Sequence, residues 1–460
     1  MIPERLQWLV RADAPAVELA ERFELAGHQL YLVGGSLRDA LLGRTPADLD
    51  FATDARPDEI RSTVDGWADN VFGVGEQFGT IGVRKGEEIH EITTFRAEVY
   101  RDESRKPVVT YSNDIETDLS RRDFTVNAMA LRLPHAELVD PHGGLTDLAQ
   151  KQLRTPLSPE ISFSDDPLRM LRLFRFIATI GFVPDEAALS AVAGMSERLE
   201  IVSAERVRDE LSKLMVGDHV ADALWGLVQS GLSDHFLPEL SSLRMEQDQT
   251  QRHKDVLSHT IAVVDKTEGR LVIRLAALLH DIGKPATREF GPQGVTFHHH
   301  EVVGARMARE RLRALRYDNR IVDDVSTLVF LHLRPHTFKM GWTDSAVRRY
   351  VRDAGPLLDD LNQLVRCDVT TANAGLALKI QRRIDELEGV IADLAQREEL
   401  AALRPPINGH TVMQHLGIPP GPIVGEIMDL LLEYRLDHGP YSEAEALVLV
   451  DRWAQEKGNA

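Results

Sequence analysis

The sequence is 460 residues long, 43% hydrophobic and 27% charged, with a formal net charge of −19 and a single cysteine. This length allows about three or four domains with cores of their own, and the composition is that of a globular protein rather than a disordered one. One cysteine excludes an internal disulfide and favours a reducing compartment. The negative charge argues against indiscriminate nucleic-acid binding, so any RNA-binding surface must be a local cluster of basic residues.

The chain carries no pattern that predicts export or membrane insertion. Glu4, Arg5, Arg11 and Asp13 interrupt the N-terminus, which therefore lacks the apolar core of a signal peptide. No apolar run approaches the roughly 18 residues of a membrane-spanning helix. We therefore expect a cytoplasmic protein without a membrane partner.

The N-terminal part predicts a helix, a strand, a turn and a second helix. Residues 5–27 form an amphipathic pattern with apolar positions at Leu9, Val10, Val17, Leu19 and Phe23. A strand at 31–33 then ends in Gly34-Gly35, and apolar residues recur at helical spacing until Gly43 stops the helix. A Gly-Gly turn lets backbone N–H groups approach an anion, and a helix N-terminus adds its positive end there.

Two carboxylates follow on the strand predicted at 49–51. Asp48 and Asp50 are two residues apart, so both project from one face, close enough to hold a pair of divalent cations. Glu91, on a later strand, is the candidate for a third carboxylate, with an exposed edge-strand acid as the alternative. Such a site suits phosphoryl transfer by metal ions. Taken singly, an Asp-x-Asp or a Gly-Gly turn is more often a solvated loop or a plain turn.

The run GGSLRDALLG followed by DLDF favours a functional site over a solvated loop or a plain turn. It resembles the nucleotidyltransferase head of the polymerase-β superfamily, and in particular the bacterial class II tRNA nucleotidyltransferases (CCA-adding enzymes) and the related poly(A) polymerases. The resemblance implies Mg²⁺ at a catalytic set formed by Asp48, Asp50 and Glu91, the last lying ahead of a TTFR run. It also implies a nucleotide-binding role for Gly34, Gly35 and Arg38.

Two later stretches predict a loop and a connection. Residues 97–118 are polar and without clear periodicity, and long loops of this kind are usually functional or disordered. In the family this position holds a flexible loop involved in switching from C to A addition, and its full length here favours addition of all three nucleotides over CC alone. LVDPHGGLTDL, residues 138–148, reads as a strand, a Gly-Gly turn and a return, and resembles the family's junction between head and neck.

The string SRRDFTVNAMAL has the pattern of a helix with Asp123 near its N-cap. That interpretation leaves Asn127 unexplained, because Asn has poor helix propensity. The string matches the family's second motif, which implies that Arg121, Arg122, Asp123 and Asn127 contact the ribose and triphosphate of the incoming nucleotide. Arginine suits this role because its planar guanidinium pairs bidentately with phosphate.

SDDPLRMLRLFRFIATIGF predicts a helix with Asp166 at a cap position and Pro167 in its first turn. Leu168, Leu171, Phe174 and Ile177 form the expected buried stripe. Beside that stripe, arginines recur every three residues, at Arg169, Arg172 and Arg175. A solvated face would mix Lys with Glu, so three arginines without an acid indicate an anionic ligand, with a plain surface stripe as the alternative.

Asp166 and Arg169 lie one helical turn apart on one face. A carboxylate accepts from an exocyclic amine and a guanidinium donates to a ring nitrogen, a pattern that cytosine and adenine share on their Watson–Crick edges. Uracil and guanine present the reverse and would leave polar groups unpaired. One Asp–Arg pair could therefore select both C and A. The family carries Glu-Asp where this chain has Asp165-Asp166, which leaves the contribution of the first position open.

A further amphipathic helix is predicted over residues 204–215, with Val207, Leu211 and Leu214 inward. Its Glu205, Arg206 and Glu210 match a neck motif of the family, which implies support for the active site. A surface helix held by charge pairs at i,i+4 is the alternative.

Beyond residue 245 the sequence becomes rich in histidine, and a second metal site is predicted. The candidates run in the order His, His-Asp, His, His, Asp, at His259, His280, Asp281, His300, His332 and Asp368, with His299 as an alternative to His300. Imidazole and carboxylate ligands suit one or two transition-metal ions. The order resembles the HD phosphohydrolase superfamily. A second activity, on 2′,3′-cyclic ends or phosphate monoesters, and an HD fold that only binds RNA both remain open.

The resemblance implies an α/β nucleotidyltransferase head at 1–150, a helical neck at 151–245, an HD domain at 246–375 and a helical RNA-binding region at 376–460. The implied function is template-independent addition of CCA to tRNA 3′ ends from CTP and ATP, with release of pyrophosphate. A poly(A) polymerase is the nearest alternative. A phosphohydrolase or RNA-binding protein with an inactive head is the second. The oligomeric state is not indicated.

Overall fold

The computed structural model describes residues 4–11, 14–46, 48–73, 79–99, 108–245, 255–291, 294–369, 374–398, 400 and 403–458. The chain divides into two compact units, Met1–Pro238 and Glu239–Ala460. Among the described residues, no helix is both long enough and apolar enough to span a membrane.

In its described residues, the first unit contains all strands of the main sheet and ten α-helices. Its strands are β1 Leu30–Val33, β2 Leu49–Thr53, β3 Asn70–Phe72, β4 Thr80–Lys85, β5 Glu88–Thr94, β6 Arg96–Val99, β7 Val108–Tyr111, β8 Ala130–Leu133, β9 Glu137–Val139, β10 Gln152–Leu153 and β11 Val183–Pro184. Its helices are α1 Pro15–Leu25, α2 Gly34–Leu41, α3 Pro57–Val64, α4 Ile115–Ser120, α5 Gly144–Gln150, α6 Pro159–Asp165, α7 Leu168–Ile180, α8 Glu186–Met195, α9 Ala204–Met215 and α10 Val220–Gln229.

The main sheet has seven strands in the order β3-β4-β5-β2-β1-β8-β9. Strands β2 and β5 run parallel and the other neighbouring pairs are antiparallel. Tyr31, Ala52 and Phe95 belong to a buried cluster that also contains Ile115 and Leu119 of α4. The register places Asp50 on the same face of β2 as Ala52. The acidic residue therefore lies on a face whose other end is anchored in the core.

The N-terminal helix predicted over 5–27 is wrong as a single element. A short 3₁₀ helix occupies Glu4–Val10, and α1 starts only at Pro15. Proline has no N–H to donate and disfavours a helical conformation in the residue before it, so it begins a helix but does not continue one. Leu9, Val17 and Phe23 are buried as expected.

Two predictions between residues 97 and 148 need correction. The segment predicted as a loop, 97–118, begins in β6 and includes β7, which pairs antiparallel with β6. It ends in α4. Its centre, 100–107, lies outside the described residues. The helix predicted in SRRDFTVNAMAL is a single 3₁₀ turn, Thr125–Asn127, followed by β8 beside β1. A short apolar run does not by itself distinguish a strand from a helix. Here residues 130–133 form a strand because they pair with β1 in the main sheet.

The connection predicted at 138–148 is a strand and a turn, but α5 replaces the expected return. Asp140 accepts the backbone N–H groups of Gly144 and Leu145 at 2.6 and 2.9 Å, which starts that helix. Helix α9 follows its predicted span, with Val207, Leu211 and Leu214 buried.

The described residues of the second unit form helices and one two-stranded hairpin, β12 Glu289–Gly291 with β13 Gly294–Thr296. Its helices are α11 Pro238–Ser242, α12 Val256–Lys266, α13 Leu271–Leu279, α14 His300–Ala314, α15 Asn319–Leu331, α16 Asp344–Ala354, α17 Leu358–Cys367, α18 Ala374–Arg397, α19 Gly409–Leu416, α20 Pro422–His438 and α21 Glu443–Gly458. Pro420 and Gly421 lie in the turn between α19 and α20, and Pro422 begins α20.

Candidate active site and metal centre

The three predicted catalytic carboxylates meet at neighbouring strands of the main sheet. Asp50 lies on β2 directly beside Glu91 of β5 in the parallel register, so the two side chains project from the same face. Asp48 precedes β2 and is exposed. Burial and the Glu91 carboxylate raise the pKa of Asp50 to about 6, against the opposing effect of Arg122. Carboxylates that repel one another in this way provide the oxygen donor set that a divalent cation requires.

The Gly34 turn brings an arginine to the same place. Gly34 has φ +70°, and a Cβ built on it would lie 3.0 Å from Nη1 of Arg122 and 3.8 Å from Oδ2 of Asp50. A side chain here would be strained and would displace the guanidinium, so glycine is required. Ser36 fixes β2 against this turn, because its Oγ accepts the backbone N–H of Asp50 at 3.2 Å and donates to the carbonyl of Val33 at 2.8 Å.

Arg121 and Arg122 are held by one buried acid that the sequence did not single out. Asp118 is 1% exposed and accepts from Arg121 at 2.8 Å and from Arg122 at 3.1 Å. These arginines lower the pKa of Asp118 despite its burial, which by itself raises it. Both arginines stay partly exposed, so the acid orients them and leaves guanidinium surface for a ligand. The sequence carries a signal for these pairs, because Arg121 and Arg122 follow Asp118 at the i,i+3 and i,i+4 spacing of helical ion pairs.

Asp123 and Asn127 lie within a buried chain of hydrogen bonds. Arg38 donates to Asn127 Oδ1 at 2.7 Å, and Asn127 donates to Asp123 at 2.9 Å. The other oxygen of Asp123 accepts two bonds from Arg172 of α7, at 2.9 and 2.5 Å. Arg172 and Asn127 lower the pKa of Asp123 despite burial, so it remains ionised. The chain thus ties α2 and the SRRDFTVN segment to α7.

Glu210 of α9 continues that chain and serves two of the three predicted arginines. Its carboxylate lies 3.3 Å from Nη1 of Arg172 and 2.7 Å from Nε of Arg175, and it is 4% exposed. Burial and the neighbouring Arg172 lower the pKa of Arg175 to about 10. The Arg38 and Arg175 guanidiniums both lie over the ring of Phe176, at 5.1 and 3.8 Å from its centre. Arg38 also pairs with Asp39 at 2.8 Å, so each of these three arginines has a carboxylate partner in the structure, and an anionic ligand would share or replace these contacts.

Asp166 and Arg169 are three residues apart in the chain, and in the structure each has different hydrogen-bond partners. Asp166 precedes α7, whose first residue is Leu168, and its Oδ2 accepts from Arg206 at 2.7 Å. Arg169 is 7% exposed and donates to Ser162 Oγ at 3.0 Å and to the carbonyl of Arg121. The helix is buried on nearly all sides, a wider buried surface than the predicted stripe.

The predicted HD residues come together in the second unit as two groups that could hold a metal ion, His259 with His280 and Asp368, and Asp281 with His300 and His332. Within each group the potential ligand atoms lie within 4.8 Å of one another. The groups adjoin, since Asp281 Oδ2 lies 3.2 Å from Nε2 of His280. All six residues come from ends or first turns of helices α12 to α17. Two adjoining sets with mixed imidazole and carboxylate donors suit one or two transition-metal ions.

Three of these histidines have their ring orientation fixed by the backbone. Nδ1 of His280, His300 and His332 lies 2.7, 2.8 and 2.6 Å from the carbonyl oxygen three residues earlier. Donation from Nδ1 directs each Nε2 at the centre, the usual second contact of a metal-bound histidine. Without an ion, Asp281 and Asp368 raise the pKa of His280 to about 10 despite its burial, so a metal ion bound there would replace a proton. Burial and His280 lower the pKa of His332 to about 4, and burial lowers the pKa of His300. These two rings are therefore neutral, the form that binds metal.

The structure also decides the register of the three histidines at 298–300. His300 is 7% exposed and its Nε2 lies 3.4 Å from Asp281, whereas the side chain of His299 is 83% exposed. Two further residues join the centre: Lys284 lies 2.7 Å from Asp281, and His336 lies 3.5 Å from Asp368. Their positions, three residues after Asp281 and four after His332, were the sequence signal that could have found them.

Comparison with known proteins gives matches along the chain. The poly A polymerase head domain matches residues 30–154, the probable RNA and SrmB-binding site of polymerase A matches 181–243, and the HD domain matches 254–394. These matches and the mixed sheet confirm the predicted fold class.

Relatives and solved structures agree with this. An A-adding tRNA nucleotidyltransferase of Deinococcus radiodurans is 35% identical, over 92% of this chain and 95% of that protein. A CCA-adding enzyme of Anoxybacillus flavithermus is 28% identical over 94% and 95%. The Bacillus stearothermophilus CCA-adding enzyme in complex with CTP has the same fold, with a TM-score of 0.68 and 24% identity over 100% of both chains. The chain therefore belongs to the family of divalent-metal-dependent tRNA nucleotidyltransferases and poly(A) polymerases, with an HD domain in the same polypeptide.

Proposed function

We propose that this chain adds CCA to the 3′ ends of tRNA, taking CTP and ATP as substrates and releasing pyrophosphate in a cytoplasmic reaction. The observation that carries the proposal is the acidic set of Asp48, Asp50 and Glu91 beside the Gly34 turn. Family membership supports it, because the similar curated proteins are named for adding A or CCA.

The three carboxylates would hold Mg²⁺. Oxygen donors are the ligands that Mg²⁺ prefers. Burial and the neighbouring Glu91 carboxylate raise the pKa of Asp50 to about 6, and a cation would relieve the repulsion between the two carboxylates. When bound, the ions would supply charge neutralisation at the phosphates and lower the pKa of the attacking 3′-hydroxyl. In the reaction, the 3′-oxygen forms a bond to the α-phosphorus of the nucleotide. The bond between the α-phosphorus and the pyrophosphate oxygen breaks, and pyrophosphate leaves.

The remaining residues of the head would bind and orient the triphosphate. The backbone N–H groups at the start of α2, at Gly34 and Gly35, suit phosphate oxygens. Arg122 lies against this turn and Asp118 fixes its direction. Arg121 and Arg122 would position the nucleotide, while Asp123 and Asn127 act through their buried bonds rather than by direct contact.

Base selection is assigned to Asp166 and Arg169. Asp166 would exchange Arg206 for the exocyclic amine of C or A, and Arg169 would exchange Ser162 for the neighbouring ring nitrogen. The buried bonds of Arg172 and Arg175 to Asp123 and Glu210 would hold α7 still while this exchange occurs.

Incubation of defined tRNA ends with CTP, ATP or both, read by sequencing each 3′ end, tests the proposal. The substrates end at the discriminator base, at C and at CC. Termination at CCA from all three supports it. Extension of the CC end alone by a single A would identify an A-adding enzyme, the function named for the Deinococcus protein. Long A tails would identify a poly(A) polymerase, and no extension would leave the HD centre as the active part.

The HD centre supports a second candidate function. Its buried His and Asp groups would hold one or two transition-metal ions, and such a centre hydrolyses phosphate esters in the superfamily that it resembles. Hydrolysis of a 2′,3′-cyclic nucleotide by the Mn²⁺-, Ni²⁺- or Co²⁺-loaded protein, lost in Asp281→Asn, would establish this activity. A metal-loaded protein without hydrolysis would indicate a structural or RNA-binding role.

A further inference from the structure

A cavity of about 560 Å³ lies on the outer side of the α14–α15 helix pair in the second unit. Its lining includes Ala305 and Arg309 of α14, five and nine positions after His300. At about 100° per residue these positions project to the side of the helix opposite His300. The cavity is therefore separate from the metal centre and is not explained by it.

Positive charge is concentrated at this cavity. Residues 300–337 contain seven arginines and five acidic residues, in a chain of net charge −19. Three arginines line the cavity: Arg306, Arg309 and Arg334. Arg309 pairs with the exposed Asp323 at 2.9 Å, and Arg334 pairs with Asp353, which is shared with Arg352. The exposed Arg309–Asp323 pair contributes little, so a phosphate can replace its carboxylate. Asp353 is only 22% exposed and lines the cavity itself, so Arg334 keeps this partner and Arg306 and Arg309 are the cations open to a phosphate.

Arg306 is the cation most available to a ligand. It is exposed on α14, and within the described parts of the chain it makes no hydrogen bond or ion pair. Because no protein carboxylate competes for it, its guanidinium can pair bidentately with a phosphate.

An aromatic ring lies beside these cations. Phe330 of α15 lines the cavity with 41% of its surface exposed, and the guanidinium of Arg334 is 5.7 Å from its ring centre. The buried Leu331 and Ser326 form part of the remaining lining. An exposed ring flanked by arginines is the arrangement that stacks an unpaired base and holds its phosphate, and a cavity of this volume accommodates a ligand of nucleotide size.

We propose that this cavity binds one unpaired nucleotide of the tRNA substrate, with the phosphate on Arg306 and Arg309 and the base against Phe330. The proposal rests on the proposed function for the identity of the RNA. It assigns the HD unit a direct part in substrate binding that is independent of its metal centre. RNA is favoured over a protein partner because charge and aromatic exposure coincide here.

The test measures the affinity of the full-length protein for tRNA at several salt concentrations, together with kcat and KM for tRNA. Arg306→Glu is expected to weaken binding about tenfold and to reduce the slope of log K against log salt by about 1. Phe330→Ala is expected to weaken binding about fivefold without a change in slope. Both variants should raise KM for tRNA and leave kcat, KM for CTP and the thermal midpoint unchanged.

Two matched controls separate the cavity from general surface effects. Arg313→Glu makes the same charge reversal on the exposed surface of α14, about 10 Å further along the helix and outside the cavity lining. Phe290→Ala removes a different exposed ring that also carries an arginine, Arg288, at 4.6 Å. Both controls are expected to bind tRNA within about twofold of the unchanged protein.

The proposal is overturned if Arg306→Glu and Phe330→Ala bind tRNA like the unchanged protein, or if the controls weaken binding equally. Unchanged tRNA affinity together with a changed sedimentation mass would assign the cavity to a second copy of the chain instead. If the unchanged protein extends no RNA, only the proposed function is contradicted. The affinity measurement then still tests whether the cavity binds tRNA.

Discussion

The two candidate metal sites of this chain are built in opposite ways. In the head, Asp48 and Glu91 are exposed and Asp50 has a pKa raised to about 6, at the edge of a glycine turn. In the HD unit, His280, Asp281 and His332 are each 1% exposed, and the histidine rings are oriented by backbone carbonyls. The carboxylates of the head are open to solvent and repel one another, whereas the residues of the HD centre are buried and their histidine rings have a fixed orientation.

This difference indicates how each region would use metal. An open carboxylate set binds Mg²⁺ weakly and is completed by the phosphates of the substrate. An enclosed imidazole set with ordered second contacts holds a transition metal without substrate. The first arrangement suits turnover, in which the cation accompanies each nucleotide, and the second suits a resident ion. The following predictions separate the two regions.

The largest effect is expected from Asp50→Ala. Loss of the central carboxylate should reduce incorporation of labelled CTP by at least about 1000-fold, because the attacking and leaving oxygens lose their cations. Metal content of the HD centre, measured by mass spectrometry, should not change. Asp58→Ala, an exposed acid in the first turn of α3, is the matched control and should keep full activity. Incorporation by Asp50→Ala within tenfold of the control would contradict the head assignment.

The second effect concerns base choice. Asp166→Ala should reduce the preference for CTP over UTP by about 100-fold, because no carboxylate then accepts the exocyclic amine. The measurement is kcat/KM for each of the four nucleotides at fixed tRNA. Asp185→Ala removes an acid that caps α8 instead and should leave the preference intact. Unchanged selectivity in Asp166→Ala would rule out its role in reading the base.

A smaller effect is expected from Glu210→Gln. The change removes the carboxylate shared by Arg172 and Arg175, so α7 loses a buried tie to α9 and KM for CTP should rise about tenfold. Asp209→Asn changes an exposed neighbour on the same helix, paired only locally with Arg208, and is the control. An unchanged KM together with a lower thermal midpoint would make Glu210 a purely structural residue.

The smallest effect on nucleotide incorporation is expected from changes in the HD centre. His300→Ala should lower the bound transition metal by about one equivalent and leave CTP incorporation within about twofold. His299→Ala should change neither, because that side chain is 83% exposed. A large loss of incorporation in His300→Ala, with normal folding, would show that the two regions are coupled rather than independent.

Local sequence patterns determined much of both regions. Strand β2 begins between its two acidic residues, α9 spans its predicted residues, and the six candidate HD residues, predicted from a resemblance in their order, lie in two adjoining groups. These elements were predictable because their periodicity and turn residues agree with the final environment. The same reasoning failed for the SRRDFTVN segment, whose short apolar run became β8 because a sheet edge was available beside β1.

Only the tertiary structure decided which groups face one another. The sequence indicated that three arginines of α7 bind an anion. In the structure, Arg172 and Arg175 pair with Asp123 and Glu210, which come from distant segments that local spacing does not relate to α7. The sequence named His300 with His299 as an alternative, and burial beside Asp281 favours His300. By itself the sequence determined the residue types and the chemistry that they allow. The fold determined their partners, because pairing of buried charges depends on distances between elements remote in the chain.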